Sequence, residues 1–128
     1  MKHFTIKELT HTNRKIPNYP NAFQVINLQK LVKNVLDPLR ELYGKPITVN
    51  SGFRSQALNA AVGGAATSEH LQGMAADIDA GSKAENEILF NLIKDNFKFR
   101  QLINEKNFSW VHVSYNEKDL KNQILAIK

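Results

Sequence analysis

The chain has 128 residues, 42% of them apolar, no cysteine and a formal net charge of +5. This is the size of one ordinary domain with a real core; it excludes disorder, disulfide scaffolds, thiolate nucleophiles and zinc sites built on cysteine. No apolar run is long enough to span a membrane, and the basic surplus suits anionic partners, a wall polymer before nucleic acid, because no dense basic run or RNA-reading aromatic motif is present.

The first residues, Met1–Lys7, contain no apolar stretch of the kind that forms a signal-peptide core, so synthesis in the cytoplasm is expected. Thr5 and Glu8 form a capping box, with Phe4 and Leu9 as its staple, and predict a short helix. Residues 12–21 carry Asn and Pro and read as a loop. Asn21 can cap a longer helix over roughly 22–43, with Val25, Leu28, Val32, Val35, Leu39 and Leu42 at helical spacing. Pro38 should kink or divide it, and Gly44 should end it. Pro46–Asn50 is a β-branched run, hence a strand, which Ser51-Gly52-Phe53-Arg54 leaves. Ser55 can cap a short helix over Gln56–Val62, stopped by Gly63-Gly64. Met74–Ala80 alternates, so Asp77 and Asp79 share one strand face. Ser82 with Glu85 opens a helix to about Asn96. Residues 99–104 and 109–115 read as strands joined through Glu105–Phe108, and a last strand near Ile124–Ile127 is expected.

The chemistry concentrates in two segments. Residues 68–79 read Ser-Glu-His-Leu-Gln-Gly-Met-Ala-Ala-Asp-Ile-Asp, and 110–115 read Trp-Val-His-Val-Ser-Tyr. If the 74–80 and 109–115 strands share a sheet, Asp77 and His112 meet on one face. Gly73 lets the chain turn sharply and bring His70 over them. Two imidazoles and one carboxylate are a usual catalytic zinc shell with a position left for water. Taken singly, such a histidine is more often just a hydrogen-bonded strand residue, and such an aspartate a turn or cap.

Ser-x-His-x-x-Gly-x-Ala-x-Asp at 68–77 followed by Trp-Val-His-Val at 110–113 resembles the zinc D-Ala-D-Ala carboxypeptidase family, related to lysostaphin-type peptidases and the hedgehog signalling domain. Ser51-Gly52-Phe53-Arg54-Ser55 with Asn59 is similar to the block that precedes the first zinc histidine there. The resemblance covers about residues 4–115. It implies an α+β fold with a small central antiparallel sheet and helices packed on one side, and one zinc peptidase domain over 1–128. It implies Zn2+ held by His70, Asp77 and His112, Arg54 on the substrate carbonyl or carboxylate, and Ser68 hydrogen-bonded to substrate.

Several members place an acid three residues before the last histidine, where this chain has Ser109. A related branch is similar in carrying Gln-Leu-Ile-x-Glu, which selects Glu105 as general base, with Asp79 as the competitor. The implied activity is zinc-dependent hydrolysis of peptidoglycan stem peptides, by a D-Ala-D-Ala carboxypeptidase or an L-Ala-D-Glu-type endopeptidase. The chain looks like the short phage-borne lysins, which implies a monomer that reaches the wall through a holin pore. The rival expectation is a catalytically inactive wall-binding or phage structural module that keeps the zinc fold.

Overall fold

The computed structural model describes residues 1–128. Helix α1 (Ile6–Leu9) begins as its cap dictates: Thr5 accepts from the Glu8 N–H while Glu8 reaches back to the Thr5 N–H. Asn21 and Gln24 do the same for α2 (Ala22–Leu31). Pro38 does not divide the long helix. The backbone widens into a π turn (Val32–Leu36) and resumes as α3 (Asp37–Tyr43), with Pro38 in its first turn. A helical proline lacks an N–H and crowds the carbonyl four residues back. The wide turn, closed by the Asp37 N–H on the Val32 carbonyl, accommodates both and keeps Val32, Val35, Leu36 and Leu39 buried in one stripe. Gly44, at φ 77°, ends α3.

Strands β1 (Thr48–Ser51), β2 (Ala75–Asp79), β3 (Gln101–Glu105), β4 (Trp110–Ser114) and β5 (Gln123–Ile127) form one sheet in the order β1-β2-β4-β3-β5. Helix α4 (Gln56–Ala61) is capped by Ser55, and α5 (Lys83–Asn96) by Ser82. The Glu85 carboxylate does not return to the Ser82 backbone; it accepts from the Tyr43 hydroxyl at 2.5 Å and from Lys45. The pleat divides the sheet. Ala76, Ile78, Leu102, Val111 and Val113 are buried in a core shared with α2, the π turn, α3 and α5. Asp77, Ile103, Glu105, Trp110 and His112 face the other side, which the long helices leave open.

The expectation of a small antiparallel sheet holds for β1 to β4 and is corrected at β5, which pairs parallel to β3 from Gln101↔Gln123 to Glu105↔Ile127. The β3–β4 hairpin returns the chain to the end where β3 began. A strand added from there to the outer edge of β3 must run parallel to it. Asn122 fixes the entry: its side chain accepts from the Phe99 N–H and its own N–H donates to the Phe99 carbonyl.

The hairpin turn itself is unusual. Lys106, Asn107 and Phe108 have φ of 48°, 54° and 59°, a left-handed conformation in three successive residues with side chains. Such a conformation costs about 1–2 kcal/mol per L-residue.

Candidate metal site

Asp77 and His112 are directly paired across β2 and β4, so the register alone puts both side chains on the open face. His70 arrives from a single 3-10 turn (Glu69–Gln72), capped by Ser68, whose hydroxyl accepts from the His70 N–H at 3.3 Å. Gly73 closes that turn at φ 72° and lies so near α2 that a Cβ would stand 2.6 Å from the Gln24 carbonyl oxygen, so both conformation and space require glycine there.

The three side chains converge. His112 Nδ1 is 3.0 Å from Asp77 Oδ1, His70 Nε2 is 3.3 Å from Asp77 Oδ2, and one ligand atom from each of the three lies within 4.8 Å of the others. The His70 ring is oriented from behind: Nδ1 lies 2.7 Å from the Gly52 carbonyl oxygen. A carbonyl only accepts, so Nδ1 carries the proton and, in the neutral ring, Nε2 carries the lone pair. That Nε2 is buried and, although close to Asp77, is not aligned for a hydrogen bond with any group. A buried lone pair pointed at a carboxylate is unfavourable unless a cation lies between them. Two imidazole nitrogens and a carboxylate oxygen, with no thiolate, suit zinc. Burial by itself would raise the Asp77 carboxyl, but the facing His112 imidazole holds it well below the usual carboxylate range.

The rest of the Ser51–Ser55 block is a backbone cradle for His70. The Arg54 N–H donates to the His70 carbonyl at 3.0 Å, and the Phe53 N–H donates to the Leu9 carbonyl at 2.7 Å. Arg54 is almost buried and firmly held: Nε donates to Ser51 Oγ at 3.1 Å, Nη1 to Asn59 Oδ1 at 3.0 Å, and Nη2 is 3.6 Å from Asp77 Oδ2. Burial lowers its pKa, while Asp77 and Glu105 oppose that, and a guanidinium remains charged.

A cleft of about 500 Å³ opens above these groups; Arg54, Ser68, Glu105 and Trp110 line it together with His70, Asp77 and His112. Glu105 ends β3 opposite Trp110 and makes no ion pair with Lys106 or Lys118. Burial raises its carboxyl, and the Asp77 charge raises it further against the pull of His112 and His70. Asp79 stays out of the cleft: its Oδ1 accepts from the Gly81 N–H and from Asn86. Ser109 spends its hydroxyl on the Lys106 carbonyl.

Other groups of the cleft escape sequence reasoning. Arg100 pairs with Glu69 at 3.0 Å and Asp119 at 2.9 Å, tying the His70 turn to the segment before β5. Strand alternation already puts Trp110 on the face of His112, and Gln101 could have been found the same way, two residues along β3 from Ile103. The ion-paired Arg100 has no local signal.

Over 49 residues, 38% of this chain and 19% of the relative, the chain is 55% identical to a zinc D-Ala-D-Ala carboxypeptidase of Streptomyces albus G. The aligned segment therefore spans about a fifth of that relative's length. The sequence pattern of the family Peptidase M15 matches residues 2–114, a span that contains α1, the Arg54 block, the His70 turn and every residue that lines the cleft. With a match of that extent, the chain belongs to the peptidase M15 family.

Proposed function

We propose that the protein is a zinc-dependent hydrolase of peptidoglycan stem peptides, with His70, Asp77 and His112 as the metal ligands. The observation that carries this reading is the buried, unpartnered Nε2 of His70, aimed at Asp77 beside His112 on the floor of an open cleft. The similarity to the zinc D-Ala-D-Ala carboxypeptidase of Streptomyces albus G supports the choice of metal and of substrate class.

When bound, zinc supplies Lewis acidity that polarises a carbonyl and makes water a nucleophile near neutral pH. The chain's own residues do the rest. Arg54, fixed by Ser51 and Asn59, presents a permanent positive charge to the carbonyl or terminal carboxylate of the peptide and stabilises the oxyanion as it forms. Glu105 accepts the proton of the attacking water and returns it to the leaving amine. Ser68, whose oxygen already caps the His70 turn, offers its hydroxyl hydrogen to the substrate backbone.

The bond cut is the terminal D-Ala-D-Ala link or the L-Ala-D-Glu link, in a short lysin of the hedgehog/D-Ala-D-Ala-peptidase type that acts on the wall as a monomer. No helix is long and apolar enough to cross a membrane. Mass spectrometry of stem peptides incubated with the zinc-loaded protein tests the proposal. Release of free alanine identifies the carboxypeptidase, an internal cut the endopeptidase, and a chelator should abolish either. Intact peptides after long incubation with zinc-loaded protein would leave the inactive wall-binding module as the better reading.

A further inference from the structure

We infer that Asn86 is a positioning residue that sets the aim of Glu105 and Trp110 by holding the left-handed turn between β3 and β4; its catalytic consequence rests on the hydrolytic reading above. Asn86 lies in the first turns of α5, 1% exposed, and no part of it reaches the cleft. Its carboxamide is fully engaged. Oδ1 accepts from the Ala80 N–H at 2.7 Å. Nδ2 donates to Asp79 Oδ1 at 3.0 Å, to the Phe108 carbonyl at 2.9 Å and to the Ser109 carbonyl at 3.2 Å. Two hydrogens thus serve three acceptors, one of them shared.

One buried amide therefore joins the end of the strand that carries Asp77 to the turn that separates Glu105 from Trp110. Only a carboxamide fits this role. A carboxylate has no donor for the two carbonyls, and an aliphatic side chain of the same size would leave all of them unpaired.

The turn needs such a hold. Left-handed backbone in three successive residues with side chains persists only where the surroundings over-determine it. Asn104 Oδ1 accepts from the Phe108 N–H at 2.6 Å, and the Phe108 ring packs edge-on against Phe90 of α5. Those contacts fix Phe108 from the strand and from the helix, and Asn86 fixes the carbonyls that follow. Glu105 immediately precedes the turn and Trp110 follows Ser109, both facing the cleft. A turn released toward ordinary φ values would rotate both side chains away from their present aim.

The test uses the zinc-loaded full chain, as wild type, Asn86→Ala and Asn104→Ala. Trp110 is the only tryptophan, so its emission reports the hairpin without a label. In the folded Asn86→Ala protein, kcat should fall about a hundredfold while KM stays within about twofold. Zinc content should be unchanged, and Trp110 emission should shift to the red and become more quenchable. Asn104→Ala, at a less buried position, should move kcat and emission in the same direction. If Asn86→Ala does not fold, Asn86→Ser, whose shorter side chain cannot span from Ala80 to both carbonyls, takes its place with the same expected changes. Wild-type kcat and emission in the folded variants would overturn the inference, as would a loss of activity that follows only the folded fraction. If the wild type cleaves no stem peptide, the hydrolytic reading falls, and the emission comparison still decides whether Asn86 holds the turn.

Discussion

Glu105 is a carboxylate set among an aspartate, two imidazoles and a guanidinium, and burial is the largest influence on it. Its raised carboxyl has a definite consequence for pH. Below that raised value Glu105 is protonated and cannot accept a proton, so turnover should be lost as the pH falls through it. Glu105→Gln keeps the size of the side chain and removes the acceptor. We expect zinc to stay bound, hydrolysis to fall by roughly 10²–10⁴-fold, and the acid limb of the pH profile to disappear. Near-normal turnover in this variant would dismiss Glu105 as the base. Asp79 would be a poor replacement, since its Oδ1 is already committed to Gly81 and Asn86. Arg54 shows the opposite pattern: a side chain expected to face the substrate is also bound to Ser51 and Asn59, so its removal should affect folding as well as activity.

At the level of elements, what could be read in advance followed from local rules. The Thr5, Asn21, Ser55 and Ser82 caps each accept from the backbone N–H three residues on, and all four helices begin where those caps stand. The π turn was not readable, because periodicity marks Pro38 as a disturbance without saying whether the helix breaks or widens. The direction of β5 was not readable either, since pairing partners depend on which sheet edge is free after the hairpin forms. β5 also lies beyond the span matched by the family pattern.

It covers β3, donates nothing to the cleft, and is fastened by the Lys106 N–H to the Ile127 carbonyl and by Asp119 to Arg100. A chain ending at Tyr115 keeps His70, Asp77 and His112 but bares the backbone of β3. Such an edge is a template for pairing with another chain. The truncated protein should still bind zinc yet form oligomers in sedimentation experiments. A truncated protein that stays as monodisperse as the full chain would show that β5 has no protective role.

Across the whole molecule, the legible part of the site is the part that repeats with the strand and turn periods. Asp77 and His112 were visible because alternation assigns a face, and His70 because Gly73 marks a turn. The groups that support them were not: Asn86 meets the hairpin turn 22 and 23 positions later in the chain, and Arg100 meets Glu69 31 positions earlier. Contacts at that separation exist only once the sheet has assembled.

The peptide group between Gly52 and Phe53 illustrates the point. Its oxygen orients the His70 ring, and its N–H holds the Leu9 carbonyl at the end of α1. With His70 as the proposed ligand, metal capture and the docking of the first ten residues share one rigid plane, and any coupling it carries acts equally in both directions. Zinc should protect the N-terminal segment: cleavage by an added protease within residues 10–16 should slow when the metal is supplied and recover when it is chelated. Equal cleavage rates in the two states would show that the plane does not transmit the effect.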